Sequence, residues 1–84
     1  MTKKVQIMVK IFETSDQDDY IVPSEMSIAE VIALIVKIAF PENHPAHKRL
    51  DRFVLMDADR QAVCGGDKTA EQCGLARGSK LLLI

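Results

Sequence analysis

Val22-Pro23-Ser24-Glu25-Met26-Ser27-Ile28-Ala29-Glu30-Val31 decides the architecture, because the end of an extended segment and the start of a helix fall within this one stretch. Pro23 stops the extended run Tyr20-Ile21-Val22, since proline has no amide hydrogen to give to a sheet. Ser27-Ile28-Ala29-Glu30 then has the spacing of a capping box: the Ser hydroxyl accepts from the amide of the third helical residue, and the Glu reaches back to the amide of the cap. A helix is expected from Ile28. Within it Ile28, Val31, Ile32, Ile35, Ile38 and Ala39 recur on one face at helical spacing, opposed by Glu30, Ala33 and Lys37. Pro41 ends the helix, because the residue before a proline is pushed out of the helical region.

Towards the N-terminus, Val5, Ile7, Val9 and Ile11 fall at every second position, the period of a strand with one face on a core. The turn-favouring cluster Thr14-Ser15-Asp16-Gln17-Asp18 follows, so the first two strands read as a hairpin. Towards the C-terminus, a loop from Pro41 to Arg49 with two histidines precedes an expected third strand, Arg52 to Met56, alternating around Phe53 and Leu55. Asp57-Ala58-Asp59-Arg60 reads as a turn and Ala62 to Cys64 as a short strand. Thr69 can cap a helical turn to Cys73, and Ser79 to Ile84 is the last strand. No repeat, low-complexity segment or linker divides the chain, so residues 1–84 are expected to form one domain.

The order is hairpin, helix, strand, short strand, helical turn, strand. An α+β arrangement satisfies it: one mixed sheet of four to five strands covered by one long helix. The last strand has no tight turn to its predecessor. It is therefore expected beside the first strand, parallel to it and central, which is the β-grasp topology. Composition agrees with a small folded domain: 48% of the 84 residues are hydrophobic and 27% charged. The formal net charge of −1 gives no field to hold a polyanion, so nucleic acid is not an expected partner. The basic start, Met1-Thr2-Lys3-Lys4, is not followed by the apolar run of a signal peptide. Ile28 to Phe40 is too short and too interrupted to insert in a bilayer, which makes the cytoplasm the expected location.

Two segments resemble ubiquitin. Val22 to Val31 is similar to its strand-to-helix junction, and Asp67-Lys68-Thr69-Ala70-Glu71-Gln72-Cys73-Gly74-Leu75, with Arg77-Gly78-Ser79-Lys80-Leu81, resembles the return into its last strand. Among ubiquitin-like proteins the chain looks most like the small bacterial YukD/EsaB family associated with type VII (ESX-like) secretion systems. The segments that carry this are Ile32-Ala33-Leu34-Ile35-Val36 and Cys73-Gly74-Leu75-Ala76-Arg77-Gly78-Ser79-Lys80-Leu81-Leu82. The resemblance implies a ubiquitin-like fold and an accessory or regulatory role in such a system. One departure bears on mechanism. Conjugated ubiquitins and sulfur carriers end in a flexible Gly-Gly, whereas this chain ends Leu81-Leu82-Leu83-Ile84, and cleavage at Gly65-Gly66 would remove the last strand. Conjugation is not expected.

Several motifs have a chemical and a structural reading. His44 and His47 could share a metal with Glu42 or Asp51, but a site needs three or four ligands in a workable pattern; they read as solvated loop histidines. Cys64 and Cys73 match neither a CxxC pair nor a zinc or iron–sulfur pattern, and the histidines that could activate them lie in another loop. The spacing permits a disulfide between them, but without a secretory signal two reduced thiols are expected, with Cys73 packed under the last loop. Gly65-Gly66-Asp67-Lys68-Thr69 lacks the first glycine of a phosphate loop and reads as a turn. Asp16, Asp18 and Asp19 lack the glycine and bidentate glutamate of a calcium loop and read as turn formers. No catalytic residue, metal or cofactor is expected.

The remaining signal is apolar. If Val5, Ile7, Val9, Phe53, Leu55, Leu81 and Leu83 face the helix, alternation places Met8, Val54, Met56, Leu82 and Ile84 on the opposite face of the sheet, as a protein-binding patch. Its methionines suit an adaptable interface. Leu34, Val36 and Phe40, flanking the helical core stripe, form a second expected surface. The expected function is a non-conjugated protein–protein interaction module docking on a secretion-system component or regulator. One alternative is a generic ubiquitin-like assembly module, able to form a homodimer through the same face, or a small subunit of an unrelated bacterial complex. Another is a small carrier or enzyme subunit.

Overall fold

A computed structural model describes residues 3–84; Met1 and Thr2, read above with the basic N-terminal segment, lie outside the described residues. Strands β1 (Lys4–Ile11) and β2 (Gln17–Pro23) form the hairpin, helix α1 spans Ile28–Ala39, and β3 (Leu55–Asp57), β4 (Ala62–Cys64) and β5 (Ser79–Leu83) complete the chain. Two short 3₁₀ helices, Pro45–Lys48 and Leu50–Arg52, lie between α1 and β3. The sheet order is β2-β1-β5-β3-β4. As expected, β5 lies parallel to β1, with Val9 opposite Leu81, and antiparallel to β3, with Met56 opposite Leu82. The α+β β-grasp arrangement is thus present with five strands.

The helix starts where the capping box places it. Ser27 Oγ accepts from the Glu30 amide at 3.2 Å, but the return arm differs: the Ser27 hydroxyl donates to the Glu30 carboxylate at 3.0 Å. The next orphan amides are satisfied from a distant loop, Ile28 N–H donating to Lys68 O at 2.8 Å and Ala29 N–H to Gly66 O at 3.1 Å. The turn that holds Gly66 and Lys68 therefore caps the helix. Ile7, Val9 and Ile11 from β1, Leu55 from β3, and Leu81 and Leu83 from β5 are buried beneath Ile28, Val31, Ile32 and Ile35. Val5 and Phe53, expected in the same layer, are half-buried at its margin.

Three boundaries and one helix face differ from the expectation. Strand β2 begins at Gln17, so Asp18 and Asp19 pair with Val9 and Met8 and do not form the turn. The Leu50–Arg52 3₁₀ helix displaces β3 to Leu55–Asp57, and Phe53 and Val54 form its approach. Ile38 is 61% exposed, whereas Val36 and Phe40 are buried. The cause is what covers each helix margin. On one side the 3₁₀ segment folds over the helix end, Ala46 is fully buried, and Phe40 stacks on His44 and Phe53 at ring distances of 4.6 and 6.4 Å. On the other side only the start of β2 is present, and Ile38 borders an open groove shared with Asp16, Asp18 and Tyr20. The second expected surface is thus not formed: of Leu34, Val36 and Phe40, only Leu34 keeps partial exposure.

Candidate protein-interaction face

Alternation along β5 sends Leu81 and Leu83 into the core and Lys80 and Leu82 to the outer face. Leu82 stands opposite Met56 on β3 and Lys10 on β1, and Met56 stands opposite Val63 on β4. One rung further, Val54 and Ile84 exchange both backbone hydrogen bonds, at 3.0 and 2.9 Å. Val54, Met56, Leu82 and Ile84 therefore form a two-by-two block of directly opposed pairs. Met8 pairs with Lys80 and is diagonal to Leu82; the two border one shallow hollow of about 320 Å³ with Lys10, Gln17 and Ala58. The Met8 sulfur accepts a hydrogen bond from the Gln17 side-chain amide. The five expected residues share the face, with Met8 at its margin.

Val63 completes the block and is 65% exposed, more than Val54 at 38% or Ile84 at 48%. A three-residue strand carries too little alternation to assign a face, so only the pairing with Met56 reveals it. Phe12 and Ile21 are further exposed apolar side chains. Ile21 lies opposite Gln6 on the remote β2 edge, apart from the block. Lys10 and Lys80 lie on the outer face beside Met8 and Leu82, Asp19 stands opposite Met8 on β2, and Arg77 shares a second hollow with Met8 and Asp19. The patch is thus an apolar centre with Lys10, Lys80 and Arg77, and the single carboxylate of Asp19, on its Met8 side.

The polar residues singled out in the sequence have structural employment. His44 Nδ1 accepts from the Ala46 amide at 3.0 Å, and His47 Nε2 donates to Pro41 O at 2.8 Å and Phe40 O at 3.3 Å. Both rings are half-buried and close the end of α1, so they are not free loop groups. Among the described residues, no group of three or more His, Cys, Asp or Glu is placed to hold a metal ion. No helix among them is long and apolar enough to cross a membrane. Cys64 is buried and Cys73 half-buried against the core; Ala70 and Leu75 are the deeper anchors of that loop.

Asp57, read as an ordinary turn residue, is 5% exposed. Its Oδ1 accepts from the amides of Asp59 and Arg60 at 3.0 and 3.2 Å, and its Oδ2 accepts from Arg60 Nε at 3.1 Å. The same guanidinium donates to Cys73 O at 2.8 Å, tying the β3–β4 turn to the loop before β5. Burial alone would raise the Asp57 carboxyl. The backbone and side-chain hydrogen bonds from Arg60, its charge and the Asp59 amide outweigh that, and the pKa lies below the ordinary value.

Comparison with known proteins places this geometry in a fold. No protein-family model matches the sequence, and no curated protein matches it. Solved structures do. The N-terminal ubiquitin-like domain of the 4931431F19Rik protein superposes with a TM-score of 0.75 at 15% identity, covering 100% of this chain and 76% of that one. The ubiquitin-like domain of Arabidopsis thaliana protein At2g32350 gives 0.73 at 18% identity, covering 98% and 77%. The chain has the ubiquitin-like fold.

Proposed function

We propose that this chain is a ubiquitin-like protein-interaction module that docks another protein on the outer face of its sheet, without being conjugated. The observation that carries the reading is the opposed block Val54, Met56, Leu82 and Ile84, extended by Met8 and Val63, a run of neighbouring apolar side chains on the face where strand alternation ordinarily places polar ones. Lys10 and Lys80 beside it favour a partner that presents apolar side chains next to carboxylates. The place of Gly65-Gly66 supports docking over conjugation, because the Gly66 carbonyl caps α1 from within the fold and the pair precedes a central strand. The finer assignment, an accessory or regulatory component of a bacterial type VII-like secretion system acting in the cytoplasm, rests on the YukD/EsaB resemblance in the helix and last strand.

The test is a pull-down from the native host with the intact protein beside the double variant Val54→Asp, Leu82→Asp, after circular dichroism has shown that the variant folds. Secretion-system proteins held by the intact chain and lost by the variant are the expected result. Partners retained by the variant would remove the sheet face as the site. Partners lost by the variant but unrelated to secretion would leave a generic ubiquitin-like assembly module.

A further inference from the structure

Arg49 and Arg52 lie outside the apolar block but border it. Arg52 N–H donates to Arg49 O at 2.9 Å, so one 3₁₀ turn separates them, and residues three apart in such a turn eclipse each other. Both accordingly line one shallow hollow of about 170 Å³ with Phe53 and Ile84. Like charges on one side of a turn repel and require a counter-charge. Glu13 supplies part of it, its carboxylate oxygens lying 3.4 and 3.5 Å from Arg49 Nη2, at the loose end of hydrogen bonding. Arg49 Nε is buried and meets no acceptor. Arg52 is exposed, and no ion pair among the described residues involves it. Asp51 lines a different hollow, towards Ala29 and Ile32, and Lys48 on the preceding turn is exposed. Two guanidinium groups against one carboxylate leave one positive charge uncompensated in the hollow.

We propose that Arg49 and Arg52 receive the side-chain carboxylate of an aspartate or glutamate on the protein that docks on the sheet face. This rests on the sheet-face reading and adds a specificity-determining contact at its Ile84 end. Continuity places it there: Ile84 lines the hollow and also exchanges backbone hydrogen bonds with Val54 inside the apolar block. The charge count selects the group, because one carboxylate balances the residual charge whereas a phosphoryl group of about two charges would exceed it. The planar guanidinium matches a carboxylate with paired N–H donors, and Phe53, whose ring centroid lies 5.7 Å from the Arg49 guanidinium carbon, braces that side chain. With Lys10 and Lys80 on the Met8 side, the partner segment is apolar at its centre and acidic at both ends.

The experiment is heteronuclear NMR of the labelled, folded chain titrated with two blocked peptides, acetyl-Ile-Leu-Glu-amide and acetyl-Ile-Leu-Gln-amide, at equal ionic strength. The Met56 and Leu82 amides report on the sheet face, and the Arg49 and Arg52 Nε–H signals on the hollow. Both peptides are expected to shift Met56 and Leu82, while only the Glu peptide shifts the arginine signals and binds about three- to fivefold tighter. That preference should vanish in Arg52→Gln, which alters an exposed side chain outside the core, and grow in Glu13→Gln, where the competing carboxylate is gone. Equal affinity of the two peptides, with Met56 and Leu82 still shifting, would overturn the arginine contact and leave the sheet face standing. Arginine shifts without Met56 and Leu82 would detach the hollow from that face, and no shift with either peptide would end the proposal. Inorganic phosphate moving the arginine signals as strongly as the Glu peptide would give the hollow to a phosphoryl group instead. Arginine signals that move with protein concentration alone would give it to a second copy of the chain.

Discussion

The two faces of the sheet are made by the same strands and differ in everything else. Along Ser79-Lys80-Leu81-Leu82-Leu83, three consecutive leucines meet different surroundings: Leu81 and Leu83 lie under α1, and Leu82 lies half-buried on the outer face between Met56 and Lys10. Composition cannot explain the contrast. Only the position of the helix does: it covers the inner face, which carries the core, and among the described residues no helix covers the outer one.

Substitutions can break that contrast in order of size. Leu83→Ala removes a side chain that is 1% exposed in the central strand and is expected to cost about 2–5 kcal/mol of unfolding free energy in a denaturant titration. A cost like that of Leu82→Ala would mean that the faces are not distinct. Asp57→Ala takes from the β3–β4 turn the carboxylate that accepts from the Asp59 and Arg60 amides and from Arg60 Nε, at an expected cost of about 1–3 kcal/mol. The same carboxylate predicts a pH dependence. Its folded pKa lies below the unfolded value, so its stabilisation is present above the ordinary carboxylate range and is lost as the pH falls through that range towards the folded value. Thermal melts of the wild type and Asp57→Asn should therefore converge on acidification; parallel curves would deny the carboxylate that role.

Ser27→Ala removes the hydroxyl that meets the Glu30 amide and should cost about 1 kcal/mol, read as a lower denaturation midpoint at unchanged slope. Smallest of all, Val63→Asp on the outer face should change stability by no more than about 0.5 kcal/mol. It should nevertheless abolish capture of any partner held by the sheet face. Binding that survives this change would shift the site away from the β3–β4 end of the block.

What the sequence reveals follows the range of each interaction. The capping box, the alternation of Val5 to Ile11 and the terminal apolar strand are local signals; with chain connectivity they are enough to place β5 beside β1. The helix margins are not legible, because Val36 and Ile38 look alike until one knows that the 3₁₀ segment covers one side and the start of β2 leaves the other open. Phe53 and Leu55 mimic a strand period across a stretch that includes Arg52, the end of a 3₁₀ turn. At the candidate face, alternation identifies Met8, Val54, Met56, Leu82 and Ile84, and Val63 escapes it because its strand has only three residues. Asp57 escapes notice because an aspartate before a turn looks the same in solvent and beneath an arginine; Arg60 three residues later is the one available hint.

The parallel pairing of β1 with β5 also governs how the molecule comes into being on a ribosome. The hairpin β1–β2 is synthesised first and the hairpin β3–β4 later, but the strand that lies between them in the sheet is translated after both. Until residues 79–83 leave the exit tunnel, the two hairpins have no shared neighbour and their apolar faces have no complete layer to join. Closure of the sheet then waits on a contact between the two ends of the fold, the kind of long-range encounter that slows folding relative to a helical bundle of equal size. Nascent chains of this protein should accordingly remain protease-sensitive until β5 has emerged, and become resistant in a single late step.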